Sequence, residues 1–358
     1  MNRFEVFSGI TVRAKRVAEI SSNKFSGLLN HRISRLEADK IRERVVKKNG
    51  KRFVDQNLKK HIKDVCQKRF GSSGYWHWLA LYAELRGEFF EGWLPVDFYR
   101  FNLLPKWNLL SELSLFKTYD YRLFGDFAIK PALIRIKGRY YNSDYQNMPA
   151  DKINDFISEN FDEIVVKPDS GRGGVGTRFC DADKFRIEDF KGIDSYVIQP
   201  VIKQHRELDK LSPDSVNSIR ITTFMATGSD VRMLFAYQKF GKQGNRVDHI
   251  ASGGMFMKLN KEGIAVTDAL GKFGFKQMDK HPLHGFEFKG FIVPSFHKAL
   301  QACIKTHHKN PHIRIIGWDI AIDREGAPKL LEWNANRPGI WIAEALFGPF
   351  FNENELKN

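Results

Sequence analysis

Near the C-terminal end, the run WDIAIDREGAPKLLEWN (Trp318 to Asn334) carries three oxygen-bearing side chains at strand spacing. IIGWDIAID (Ile315 to Asp323) alternates and is rich in β-branched residues, REGA (Arg324 to Ala327) is a glycine-containing turn, and PKLLEWN reads as a second strand. A hairpin closed by a four-residue loop sets Asp323 opposite Pro328 and, in the same register, Asp319 opposite Glu332. Opposed side chains have Cβ atoms about 4.5–5.5 Å apart, where like charges repel. A shared cation reverses that sign. Asn334 lies two residues beyond Glu332, on the same strand face. Asp319, Glu332 and Asn334 then form an all-oxygen set that suits Mg²⁺, with phosphate oxygens completing its shell. A solvated face with two unrelated acids fits the hairpin equally well, so the decision lies elsewhere in the chain.

A second constellation bears on it. DEIVVKPDSGRGGVGTRF (Asp162 to Phe179) is a strand ending near Lys167, a glycine-rich loop and a further strand at TRFC. Gly171, Gly173 and Gly176 satisfy G-x-G-x-x-G, but a dinucleotide fingerprint requires the loop to open a helix. Gly-Lys-Ser/Thr is missing, so this is not a P-loop either. A strand–loop–strand hairpin with a lysine at its mouth remains. Its bare backbone, with Gly173 and Gly174 at the centre, can donate N–H groups to phosphates, and Lys167 can neutralise them. An ordinary glycine-rich loop is the plain alternative. A phosphate-covering loop and a Mg²⁺-type hairpin in one chain point to nucleoside triphosphate chemistry.

From about residue 110 to 350 the chain resembles the ATP-grasp superfamily, and within it the sugar-transfer-associated group. D-Alanine–D-alanine ligases have the same end pattern: an Asp, a Glu thirteen residues later and an Asn two beyond, here Asp319, Glu332 and Asn334. SVNSIRITTF (Ser215 to Phe224) and IGWDIAI are similar to the sugar-transfer group. The resemblance implies an α+β fold of two lobes gripping ATP, with Mg²⁺. It implies phosphate-binding lysines at Lys117, Lys167 and Lys239. It also implies an adenine-binding hinge at YVIQPVI, with Gln199, Val201 and Ile202, and a ribose-binding acid at Glu207 or Asp209. Two departures concern the substrate. Those ligases carry an arginine two residues before the metal-binding Asp, where this chain has Gly317, and ANRPG has an extra position before Pro-Gly. Arg220 lies between polar Asn217 and Ser218 and an apolar run, and its planar guanidinium suits a carboxylate, a phosphate or an acyl phosphate. Arg220 and Arg337 are the candidate catalytic cations.

The expected activity is an ATP- and Mg²⁺-dependent ligase. It activates a carboxylate as an acyl phosphate for attack by an amine or hydroxyl, in polysaccharide or cell-surface glycan modification. The alternatives are phosphoryl transfer to a sugar or other hydroxyl in the same cleft, and a basic nucleic-acid-binding protein. No Ser-His-Asp or Cys-His set offers covalent catalysis, and THHK (Thr306 to Lys309) reads as a helix surface.

The elements that must position these groups are short strands after residue 110, spaced as antiparallel meanders, an α+β rather than doubly wound pattern. FIVPSFHKALQACIKTHHKN fits a helix after Pro294–Ser295. Three regions follow: a basic, mainly helical N-terminal region over 1–109, a first ATP-grasp lobe over 110–200 and a second over 201–358. Within the first region, 30–70 reads as two helices broken at NGK, YWHWLALYAELRGEFF as a core helix, and EGWLPVDFYRFNLLPKWN as loop because of its prolines.

The net charge is +15, and residues 11–70 hold 18 Lys and Arg against 6 Asp and Glu. That block suits an anionic membrane surface or an acidic glycan. Few aromatics and no zinc spacing weigh against nucleic acid. Cys66, Cys180 and Cys303 match no metal or redox spacing. With no apolar leader and no spanning run, the chain reads as cytoplasmic, peripheral at most to the inner membrane face.

Overall fold

The computed structural model describes residues 29–169, 176–226, 230–249, 253–272 and 277–357. They divide into two compact units, one joining the residues up to Lys106 with those from Ile340 onward, the other Trp107–Gly339.

The first unit is helical. Helix α1 (29–49) stops before Gly50, whose φ of +71° is left-handed. Helix α2 (Gln56–Phe70) is capped by Asp55, which accepts from the Leu58 N–H. Helix α3 (Trp76–Arg86) is the expected core helix, with Trp78, Leu79 and Tyr82 fully buried. The stretch read as loop is instead largely helical from Val96. Pro95 starts it at the N-cap, and a widened turn over Tyr99–Leu103 precedes Pro105, which has no N–H to donate. The C-terminal segment, placed by its sequence in the second lobe, packs with these helices. Leu94 N–H donates to Glu344, the Arg86 guanidinium bonds the Leu346 carbonyl, and the Trp78 and Trp341 rings lie 5.9 Å apart.

The second unit holds two sheets, with every strand pair antiparallel. One sheet has the order β3-β2-β1-β6-β4-β5 and the other β11-β10-β9-β8-β7-β12-β13. The first contains β1 (Leu133–Ile136), β2 (Arg139–Tyr141), β3 (Asn147–Met148), β4 (Glu163–Pro168), β5 (Arg178–Asp181) and β6 (Ser195–Pro200). The second contains β7 (Ile219–Met225), β8 (Val231–Phe240), β9 (Met255–Leu259), β10 (Ala269–Leu270), β11 (Gln277–Met278), β12 (Ile315–Ile322) and β13 (Pro328–Asn334). The helix Phe296–His308 begins after Ser295, as its sequence suggests, and packs on β7 and β8 through Phe296, Ala299 and Cys303. THHK is not wholly a surface. His307 is buried, bonded to Thr223 and the Ile313 carbonyl, and burial lowers its pKa to about 4.

Among the described residues, no helix is long and apolar enough to cross a membrane. Glu344 is fully buried, and burial, only partly offset by the Leu94 and Phe350 backbone bonds and by Arg69, pushes its carboxyl up to about 8. A raised acid binds its proton more tightly folded than unfolded, so it stabilises below the unfolded value and that stability is lost as pH rises toward 8. Thermal unfolding should therefore show falling stability between about pH 5 and 8, and Glu344→Gln should flatten that decline.

Candidate functional site

The site is built on the β12–β13 hairpin. Trp318 and Trp333 face each other across it and stack in the core at 21° between planes, with Phe124 against both. Alternation then turns Asp319 and Glu332 to the opposite face. Asp319 does pair with Glu332, but by a different route from the expected loop. The turn is one residue tighter: Asp323 N–H donates to the Ala327 carbonyl at 3.0 Å, Gly326 takes φ +82°, and Ile322 faces Pro328. A bulge beside Asp319 leaves Leu331 unpaired and restores the register.

Buried Asn108 holds both ends of the hairpin. Its amide donates to the Ile315 and Ala335 carbonyls, both at 2.8 Å, and accepts from Arg314 and Ile315 N–H. Ser114 accepts from the Ala335 and Asn336 N–H groups and so fixes the turn that follows.

Arg220, Asp319 and Glu332 form one rung across β7, β12 and β13. The Arg220 fork binds Asp319 with both nitrogens, at 2.8 and 2.6 Å, and Lys239 Nζ reaches the same carboxylate at 2.9 Å. Asn334 donates to it at 3.3 Å. Burial favours the neutral acid, but Arg220 and Lys239 override it and hold Asp319 well below the usual carboxylate range. Burial alone would lower Lys239, yet Asp248 and Asp319 keep it up at about 12. A Cβ at Gly317 would stand 3.2 Å from Arg220 Nη1. The arginine from β7 thus lies over the position where D-alanine–D-alanine ligases carry theirs on the next strand.

Lys117 Nζ stands 3.9 Å from Glu332. Lys167, on β4, is lowered to about 8 by burial and then by Lys117. Asp120 lies beside both lysines; burial raises it to about 7 although the Trp333 indole donates to it at 2.9 Å.

Lys117, Lys167, Arg220, Lys239, Asp319, Glu332 and Asn334 line one cleft between the two sheets. Its empty volume is about 1140 Å³ including the open mouth, enough for a nucleotide. The other end is apolar, walled by Ile129, Val165, Phe179, Val201, Ile202 and Leu331. Asp209 lines a pocket sharing Val201, Ile202 and Phe179 with that end, and Arg324 reaches it at 3.3 Å. Glu207, left level with Asp209 by the sequence, lines neither space and pairs with Lys210. The side chain of Gln199 is buried and donates to the Ile129 carbonyl, and Gln199 itself does not line the cleft. Arg337 is exposed and lines a separate recess with Ser114, Asp169 and Asn336, whose shared wall with the cleft is Lys117, Glu332 and Asn334. Gly173 and Gly174 lie outside the described residues.

Asp248 was missed. It accepts from Ser218 N–H at 2.7 Å and lies 3.6 Å from Lys239, with His249 beside it in the cleft. RVDH gave no signal, because a loop fold and not a spacing brings it to β7.

The residues fit a hard cation. The donors are carboxylate and amide oxygens, and among the described residues no group of three or more His, Cys, Asp or Glu offers a competing site. The two oxygens of Asp319 already accept four bonds, about as many as a carboxylate has lone pairs. A cation held there would take the place of one donor, and the Asn334 bond is the longest.

Residues 187–350, somewhat less than half of the chain, match the family described as sugar-transfer associated ATP-grasp. No curated protein matches. Among solved structures, similarity extends to the D-cycloserine synthetase DcsG (13% identity, TM-score 0.39, 70% of this chain and 69% of that one). It also extends to the ATP-grasp ligase PsnB with minimal precursor, Mg and ADP (12%, 0.38, 68% and 57%). A third is the L-amino acid ligase from Bacillus licheniformis (14%, 0.33, 64% and 41%). The chain thus spans less than two thirds of the length of the latter two.

Removing the Asp319 carboxylate strands two buried cations. Asp319→Ala should lower stability by about 3–5 kcal/mol in denaturant titration, whereas Glu332→Gln, at a longer and more open ion pair, should cost under about 1 kcal/mol. Over residues 187–350 the chain is similar to the sugar-transfer associated ATP-grasp family.

Proposed function

We propose that the cleft binds ATP with Mg²⁺ and that the protein is a ligase. On this reading it phosphorylates a carboxylate to an acyl phosphate, which an amine or hydroxyl then attacks with loss of phosphate. The observation that carries the reading is the pairing, in one cleft, of five cations with a two-carboxylate hairpin and an apolar slot. Lys117, Lys167, Arg220, Lys239 and Arg246 outnumber Asp319, Glu332 and Asp248 locally, a balance that suits a polyanion. Ile129, Val165, Val201 and Ile202 sandwich the base, with the backbone at 200–202 along its edge. Mg²⁺ held by Asp319, Glu332 and Asn334 would supply charge neutralisation at the transferred phosphoryl group.

Arg220 acts as a positioning residue, since Asp319 occupies its fork. It fixes the carboxylate and adds positive potential without a free face. Arg337 stands in the recess across Lys117 and Glu332, where an anionic acceptor or the carboxylate to be activated would sit within reach of the phosphates. The family description, sugar-transfer associated, directs the substrate search toward glycans and sugar acids. Asp209 is the ribose acid, because it and not Glu207 borders the apolar end.

Two experiments test this. Incubation with Mg·ATP and a panel of amino acids and sugar acids, read by mass spectrometry, should give ADP, phosphate and an amide or ester. Glu332→Gln should reduce turnover by about 100-fold or more. A phosphorylated acceptor without condensation would assign phosphoryl transfer instead, and full turnover by Glu332→Gln would sink the metal assignment. In calorimetry, Asp209→Asn should weaken ADP by about tenfold, with a smaller loss for 2′-deoxy-ADP, and Glu207→Gln should change neither.

A further inference from the structure

Helix α1 has two faces of different use. Ser34, Ala38, Ile41 and Val45 turn inward and are buried, and the Trp78 indole donates to Ser34 at 3.1 Å. On the opposite face Leu29, Ile33 and Leu36 follow one another at helical spacing and remain 49%, 56% and 60% exposed. Among the described residues, these three exposed aliphatics in a row on one helix form an unpartnered apolar stripe rather than scattered surface residues.

The charges around the stripe indicate its occupant. Arg32, Lys40, Arg44 and Lys47 lie beside or beyond it on the same side and are exposed. Among the described residues none of the four has an ion-pair partner. The acids of that side are neutralised instead: Glu37 by Arg100 at 3.4 Å and Glu43 by Arg52 at 2.9 Å. The face is therefore apolar at its N-terminal end and carries uncompensated positive charge. An apolar stripe flanked by Lys and Arg on a surface helix is the pattern that inserts at the boundary of headgroups and acyl chains.

We infer that α1 is an interfacial helix that lays Leu29, Ile33 and Leu36 into the surface of an anionic lipid bilayer, with Arg32, Lys40, Arg44 and Lys47 on the headgroups. The two terms are weak singly and act together, so binding requires both the acyl boundary and the negative surface. An acidic glycan or a nucleic acid would meet the charges but leave the stripe in water. The inference rests on the helix alone and stands or falls independently of the cleft.

Flotation of the full chain tests it, with phosphatidylcholine vesicles made with and without phosphatidylglycerol. At low salt the protein should float with the anionic vesicles and not with the neutral ones. High salt should release it. Combined Leu29→Ser, Ile33→Ser and Leu36→Ser should cut the bound fraction by about tenfold. Combined Arg32→Gln, Lys40→Gln, Arg44→Gln and Lys47→Gln should do so as well. The substituted side chains are exposed, so unchanged thermal unfolding shows the fold intact. Wild-type failure to float at low salt overturns the inference. So does a serine variant that floats as well as wild type, which would reduce the binding to charge alone, as for RNA or heparin.

Discussion

The Asp319 carboxylate is the point on which the second unit turns. It is buried, and a buried carboxylate is tolerable only where its charge is matched and its lone pairs are filled. Arg220 from β7, Lys239 from β8 and Asn334 from β13 fill them. Adjacent strands thus meet at one group, and each must keep its register for the others to reach it. That requirement explains the bulge at Leu331: without it the tight turn at Gly326 would move Glu332 out of line with Asp319.

The same arrangement makes the site poised rather than neutral. Lys239 is held charged by Asp319 and Asp248, while Lys167 is held near the edge of losing its proton by burial and by Lys117. Cations crowded in this way repel one another until an anion arrives. On the proposed reading, a triphosphate with a divalent cation would relieve the repulsion and satisfy the acids together. Glycine at position 317 has a local reason, because the bare backbone gives the Arg220 side chain its room.

Several features were legible in the sequence. The alternation of IIGWDIAID and PKLLEWN was enough for two strands, and the opposition of Asp319 and Glu332 followed. The strand pattern after residue 110 led to an antiparallel α+β architecture, and NGK and Pro294–Ser295 marked helix boundaries that the structure keeps. Prolines misled once: in EGWLPVDFYRFNLLPKWN they start a helix and follow a widened turn, since proline lacks only an N–H that those positions do not need. The chain itself gave no sign that its last residues pack on α3, because a short apolar helix does not encode which apolar surface it will meet.

The sequence by itself determined the chemistry on offer: hard oxygen donors at hairpin spacing, lysines beside a glycine-rich loop, and a basic N-terminal block. Residue type and short-range period suffice for that, because both are local. Only the tertiary structure decided which groups meet. It brought Arg220 from β7 over Gly317 of β12, turned Asp209 rather than Glu207 to the border of the apolar slot, and put Arg337 in a recess of its own. It added Asp248, which no spacing announced, and left three aliphatic residues of α1 facing outward. Contacts between residues far apart in the chain follow from sheet order and core packing, and those are set by the burial of the whole molecule rather than by any one stretch of it.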